Sequence, residues 1–228
     1  MKSIITIIIL FFINIIFSQN IDPTNGASKL GILSDMSNFS GGSIIFNKKT
    51  EVEGNIHLFK SWNNKGVIHI DKKDYRLGNV NFNMKTNNFE SEIGKDSIFI
   101  FDVANIDYIY VNNRKFKSFY FPKKKKDLNF EIIYDGEDFK LLKGYEVGIK
   151  YGETDPLMVK KKVDTYFTIK KYYVRAGTDI QEISLKKKAI LSLFKEKSDI
   201  VSVFVKKSKL SYKKEQDLKK IFQYYKTL

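Results

Sequence analysis

Two histidines, 26 carboxylates and 40 lysine and arginine side chains are the groups in this 228-residue chain that could do chemistry, and cysteine is absent. Without cysteine there is no thiol catalysis, no thiolate metal site and no disulfide, so packing and backbone hydrogen bonds must hold the fold. His57 and His69 lie in strand-like runs (Asn55–Phe59 and Val67–Ile70), flanked by apolar residues, and are expected on the opposite, solvated faces. A zinc site takes three or four ligands at motif spacing, and the sequence shows no such set, so no metal or other cofactor is expected. The carboxylates form pairs rather than motifs. Glu51/Glu53 and Glu90/Glu92 are two apart and share a strand face, while Asp135, Glu137 and Asp138 crowd a turn. A pair of this kind runs glycoside hydrolysis only where the fold holds it across a sugar. Calcium-loop, nucleophile-elbow and metalloprotease patterns are missing, and Ser40-Gly41-Gly42-Ser43 lacks the phosphate-loop lysine. No catalytic residue is assigned.

Lysine is the one unusual feature. The formal net charge is +14, and residues 186–228 hold thirteen lysines against four acidic residues. A run at Lys123, Lys124, Lys125 and Lys126 follows Pro122, and a second run covers Lys160 to Lys162. Such clusters attract polyanions. Lys123, Lys124, Lys125, Lys126, Lys186, Lys187, Lys213, Lys214 and Lys220 are therefore the candidate contacts for lipopolysaccharide, anionic lipid or an acidic glycan. Nucleic acid is not expected, since no base-reading motif is present. The competing explanation is bland: AT-rich codon usage favours Lys, Asn, Ile, Phe and Tyr, and lysine-rich helix faces are ordinary solvated surfaces. Trp62 and the 13 tyrosines could likewise line a sugar-binding face, although aromatic residues are favoured in strands anyway.

These side chains need elements to position them. The first residues read as a secretory signal: Lys2, an apolar run from Ile4 to Phe17, then cleavage between Ser18 and Gln19. The apolar run has 14 residues, short of the roughly 20 that a membrane span needs, and no basic cluster follows it. Cleavage leaves 210 residues with net charge +13. Residues 19–42 read as a loosely ordered leader. Residues 43–184 carry short β-branched and aromatic runs separated by Asn, Asp and Gly clusters, the pattern of an antiparallel β domain with about eleven strands. Val80, Phe82 and Met84 alternate onto one face, and Ser97–Phe101 is apolar on both faces, as a central strand would be. Asn63–Gly66, Asp71–Asp74 and Asn87-Asn88 are turn signals; Asp135-Gly136, between Phe130–Tyr134 and Phe139–Leu142, is the strongest hairpin signal, and Ala176-Gly177-Thr178 is another.

From residue 185 the period becomes helical. Three short helices are expected: one capped by Ser184 and carrying Ile190, Leu193 and Phe194; one over Asp199–Lys207, where Ile200, Val203 and Phe204 make a helical face although Val201, Val203 and Val205 also alternate as a strand would; and one with a Leu218, Ile221, Phe222, Tyr225 stripe and Ser211 as cap. The fold class is α+β: a curved antiparallel sheet or partly closed sandwich, covered at one end or face by the helices.

Gly78–Asn83, Thr165–Phe167, Lys171–Tyr173, Ile183–Lys187, Leu193-Phe194 and Asp217–Tyr225 together resemble a group of exported bacterial proteins of unknown function. That resemblance implies an intact domain in an envelope compartment, the periplasm or cell surface of a Gram-negative bacterium, and implies no activity. The leading expectation for function is a non-catalytic envelope protein that binds a partner or anionic ligand. A glycan-directed hydrolase using a carboxylate pair, or a structural component of an envelope complex, are the alternatives.

Overall fold

Asparagine and aspartate, more than glycine, turn this chain. The computed structural model describes residues 42–46, 52–94, 97–152 and 163–228. The Ser18–Gln19 cleavage point, the leader up to residue 41, Glu51 and Lys160–Lys162 lie outside the described residues. Strands β2 (Gly66–Ile70) and β3 (Lys73–Leu77) join through Asp71-Lys72, and β7 (Tyr108–Val111) and β8 (Arg114–Phe121) through Asn112-Asn113. All four linking residues have positive φ, between 48° and 65°. Two consecutive left-handed residues give the hairpin twist that matches twisted strands, and short polar side chains tolerate it. Asn79 (φ 53) precedes β4 (Val80–Asn83), and Asn87 (φ 63) precedes β5 (Asn88–Glu92).

Glycine takes this role at Gly177 (φ +59), between β11 (Thr165–Ala176) and β12 (Asp179–Ile183). The hairpin expected at Asp135-Gly136 forms, with Asp135 paired to Lys140 across a four-residue link. Residues 136–139 separate β9 (Lys126–Asp135) from β10 (Lys140–Lys150), and Gly136 does not adopt positive φ. Glycine is needed there for space, because a Cβ would fall 2.4 Å from the Tyr134 ring.

The strands form two antiparallel sheets. The smaller runs β1-β6-β5-β4, with β1 at Gly42–Phe46 and β6 at Ser97–Phe101; the larger runs β12-β11-β10-β9-β8-β7-β2-β3. Strand β6 lies between β1 and β5, with Ile98, Phe99 and Phe101 buried, in keeping with its double apolar face. Val80, Phe82 and Met84 point together into the core between the sheets, against Ile68, Ile109 and Phe116 of the large sheet. Ring contacts knit this core: Phe82 and Phe89 lie 5.8 and 5.3 Å from Phe116.

The C-terminal region is helical but not three equal helices. Helix α2 (Ser198–Lys207) and helix α3 (Glu215–Lys226) are regular, whereas α1 (Lys187–Leu191) is a short turn that runs into a 3-10 stretch over Ser192–Lys197. The break is at Lys195, whose φ of 49° and ψ of −123° leave the helical region. Neither expected cap is made. Lys186 precedes α1 and Lys214 precedes α3, each without a side-chain cap, and Ser211 Oγ instead accepts from the Lys213 N–H. In α2 the buried face is Val201 and Val205, with Ile200 and Val203 exposed, so the expected inward face is rotated. Phe204, expected on the inward face, is half-buried and stacks on Tyr224 at 3.9 Å. Leu218, Ile221 and Phe222 of α3 are buried, as their spacing predicts, against Leu141, Phe139 and Phe194.

Register shows how the layers meet. Phe116 pairs with Glu131, Glu131 with Lys143 and Lys143 with Tyr172, so these four share one face across β8 to β11. Tyr145 and Leu141, two residues either side of Lys143, share it too. The small sheet covers Phe116 and Tyr145, and the helices cover Leu141. One face of the large sheet thus carries two lids with a polar seam between them.

Candidate ligand-binding site

The seam is a chain of ionised and hydroxyl groups with partners at every step. Arg114 holds Glu131 through both carboxylate oxygens, Nε to Oε1 at 2.9 Å and Nη2 to Oε2 at 2.7 Å. The Tyr145 hydroxyl donates to Glu131 at 2.5 Å and also meets Arg114. Arg114 lies over the Phe59, Phe116 and Tyr145 rings at 5.2 to 5.5 Å. Lys143, itself buried, donates to Glu215 at the start of α3, and Tyr172 donates to the same oxygen, each at 2.5 Å. Burial pushes the Glu215 carboxyl up, but the hydrogen bonds from Lys143 and Tyr172 outweigh it and hold Glu215 below the usual carboxylate range. Burial and Glu131 drive the Tyr145 hydroxyl far above its ordinary value, so it stays a donor. Each charged group of the seam is matched by a partner within the fold. They tie the sheet to the last helix.

His57 is not on a solvated strand face. It sits in an irregular segment over the small sheet, its Nε2 2.7 Å from Glu90 Oε2 and its ring 4.6 Å from that of Trp62. Glu90 is 1% exposed, and its other oxygen accepts from Asn83 Nδ2 at 2.8 Å. Asn81 clamps the same segment, accepting from the Phe59 N–H at 3.1 Å and donating to the Phe59 carbonyl at 2.9 Å. Asn64 adds bonds to the carbonyls of Ser61 and Val80. The polar side of β4 is therefore a buried asparagine clasp. His69 remains on an open strand face, with Nδ1 2.6 Å from Asp74 and its ring stacked on Tyr108. Among the described residues no three His, Asp or Glu side chains converge as metal ligands.

All nine candidate lysines are exposed, in two separate places. Lys123–Lys126 form the β8–β9 turn, where Lys125 is left-handed and Lys124 bonds Glu146 at 2.7 Å. Lys171 reaches the same carboxylate at 2.7 Å, and the two ammonium groups hold Glu146 below the usual range. This turn starts β9, while the helices pack near the end of β9, about 30 Å away for ten residues at roughly 3.3 Å each. The fold does not bring the two groups together. Lys213, Lys214 and Lys220 sit before and within α3, and Lys186 and Lys187 at the start of α1.

Around α1 and the 3-10 stretch, two concavities adjoin. One, of about 500 Å³, is lined by Lys187, Lys188, Leu191, Ser192, Lys195 and Ser198. None of these lysines appears in an ion pair among the described residues. The other, also about 500 Å³, shares Ser192 and Lys195 and is floored by Phe139, Val174, Leu193, Phe194 and Tyr225, with Asp138, Glu196 and Lys197 at its edges. Asp138 accepts from the Tyr225 hydroxyl at 3.1 Å, and Lys197 lies 5.5 Å from the Tyr225 ring centroid. Both volumes fall in the range of small-molecule sites, about 300–1,000 Å³. Lys188 and Lys195 escaped sequence reasoning. They are seven apart, which hints at one helix face, but only the break at Lys195 turns the spacing into a basin.

No helix among the described residues is long and apolar enough to cross a membrane. No family model, curated protein or solved structure matches this chain.

Proposed function

We propose that this is a non-catalytic exported envelope protein whose helical cap binds an anionic envelope component, with lipopolysaccharide phosphate, anionic lipid and acidic glycan as the ligand chemistries. One observation carries the reading: Lys187, Lys188 and Lys195 line a single concavity together with Ser192 and Ser198, and none of the three is in an ion pair among the described residues. Unpaired ammonium groups around a concave surface focus positive potential on it. A glycan hydrolase is less favoured, because Glu90 is taken up by His57 and Asn83, and Glu131 by Arg114 and Tyr145.

The test is titration with lipopolysaccharide at 0.15 M salt. Replacing Lys187, Lys188 and Lys195 by glutamine should weaken binding about tenfold, equivalent to ~1.4 kcal/mol. Replacing Lys123, Lys125 and Lys126 should change it less than twofold. Equal losses from the two sets would reduce the effect to net charge and remove the site.

A further inference from the structure

The lysine basin and the aromatic chamber are joined at Ser192 and Lys195, which line both. Lys195 holds a backbone conformation that side-chain-bearing residues rarely adopt, and such outliers cluster at ligand sites and switches. Both compartments are mostly apolar in surface, and they differ in the charges at their rims. The basin is bounded by three lysines, whose aliphatic stems and Leu191 supply most of its surface, and by two serines. The chamber offers four large apolar or aromatic side chains (Phe139, Leu193, Phe194, Tyr225) and Val174. The carboxylate nearest its floor, Asp138, is bonded by Tyr225, and Glu196 is exposed at the edge. A wholly polar anion would use the basin and leave the apolar chamber wet. A wholly apolar ligand would leave the three charges idle.

We propose that the ligand is a single-chain anionic amphiphile, with its head group on Lys187, Lys188 and Lys195 and its chain in the chamber over Phe194 and Tyr225. This inference rests on the anion-binding reading above and adds the apolar half of the ligand. A lipid fragment and a free fatty-acid-like anion share this chemistry.

The experiment compares decyl phosphate below its micellar concentration, inorganic phosphate and decanoate, each titrated calorimetrically into the full exported chain. Decyl phosphate should bind at least thirtyfold tighter than inorganic phosphate, the gain expected from burying about three methylene groups. Decanoate binding as tightly as decyl phosphate would identify a fatty-acid-like source; weaker binding of decanoate would identify a phosphate-bearing lipid. Either result supports the proposal if the chain adds affinity. Ala176 is exposed and lines the chamber, so Ala176→Trp should obstruct it without disturbing the core. That variant should reduce decyl phosphate to the affinity of inorganic phosphate and leave the latter unchanged. Equal affinity for decyl and inorganic phosphate would overturn the amphiphile proposal while leaving the anion site intact, as would tight decyl phosphate binding unaffected by Ala176→Trp. If glutamine at Lys187, Lys188 and Lys195 weakened neither ligand, both proposals would fall.

Discussion

In the seam beneath the two lids, Arg114, Glu131, Lys143 and Glu215 each meet an opposite charge, and Tyr145 and Tyr172 donate to the same carboxylates. In the helical cap, Lys187, Lys188 and Lys195 line a concavity with no such partner among the described residues. The difference separates two uses of charge. Ionic groups withdrawn from water are stable only when matched, so the seam contributes register and rigidity. Ammonium groups left in water cost little, and they are free to meet an anion from outside.

The comparison breaks most sharply at Glu131. Removing one member of a buried pair leaves the other uncompensated, at a cost of about 3–5 kcal/mol. Glu131→Ala should lower urea-unfolding stability by an amount in that range, while phosphate binding by the folded fraction stays within twofold. A loss under ~1 kcal/mol would mean that the seam does not hold the lids.

Glutamine at Lys187, Lys188 and Lys195 should do the reverse. Unfolding stability should change by no more than about 0.5 kcal/mol, since exposed charges contribute little. Anion binding by the wild type should persist at 0.15 M salt, where the screening length is about 8 Å, because the three charges converge on one ligand. Diffuse attraction to the β8–β9 turn should largely vanish under the same conditions. Complete loss of binding at that salt concentration would count against a built site.

A smaller effect separates the two regions by pH. The folded protein holds Glu215 below its ordinary carboxylate value of 4.5, so in that range the unfolded chain binds more protons than the native state. The resulting stability is fully present above the ordinary value and is lost as pH falls through the depressed one. The gap in melting temperature between wild type and Glu215→Gln should therefore be open at neutral pH and close on acidification. Asp135 and Glu146 are also held low by lysines, but they titrate alike in both proteins and drop out of the gap. A gap that widened on acidification would contradict the sign. The smallest effect is expected at Lys124→Ala, which breaks an exposed pair with Glu146 and should cost no more than about 0.5 kcal/mol by urea unfolding.

Much of the β architecture is legible because alternation records which side of a strand is apolar. Val80, Phe82 and Met84 show it, and the turn signals at Asp71–Asp74 and Asn87-Asn88 hold the left-handed residues Asp71, Lys72 and Asn87. The same alternation says nothing about what covers the polar side. Asn81, Asn83 and Glu90 look like solvated positions, yet residues 55–62 fold over them and convert them into bonding groups for that segment. In α2, both Ile200/Val203 and Val201/Val205 are apolar pairs at helical spacing. The second is buried, packed with Leu218, Ile221 and Phe222, a choice made by tertiary packing. The lysines follow the same rule. The run Lys123–Lys126 is conspicuous in sequence but includes a lysine paired with Glu146, whereas Lys188 and Lys195 are inconspicuous and line a concavity beside a helix break that their residue types do not announce.

The central claim is that the anion site lies in the helical cap and not at the lysine run. Amide chemical-shift mapping of the isotope-labelled protein titrated with inorganic phosphate tests it most directly. The account predicts saturating shifts confined to residues 187–198, the segment that carries Lys187, Lys188, Ser192, Lys195 and Ser198. Saturating shifts at Lys123–Lys126, with residues 187–198 unmoved, would contradict it.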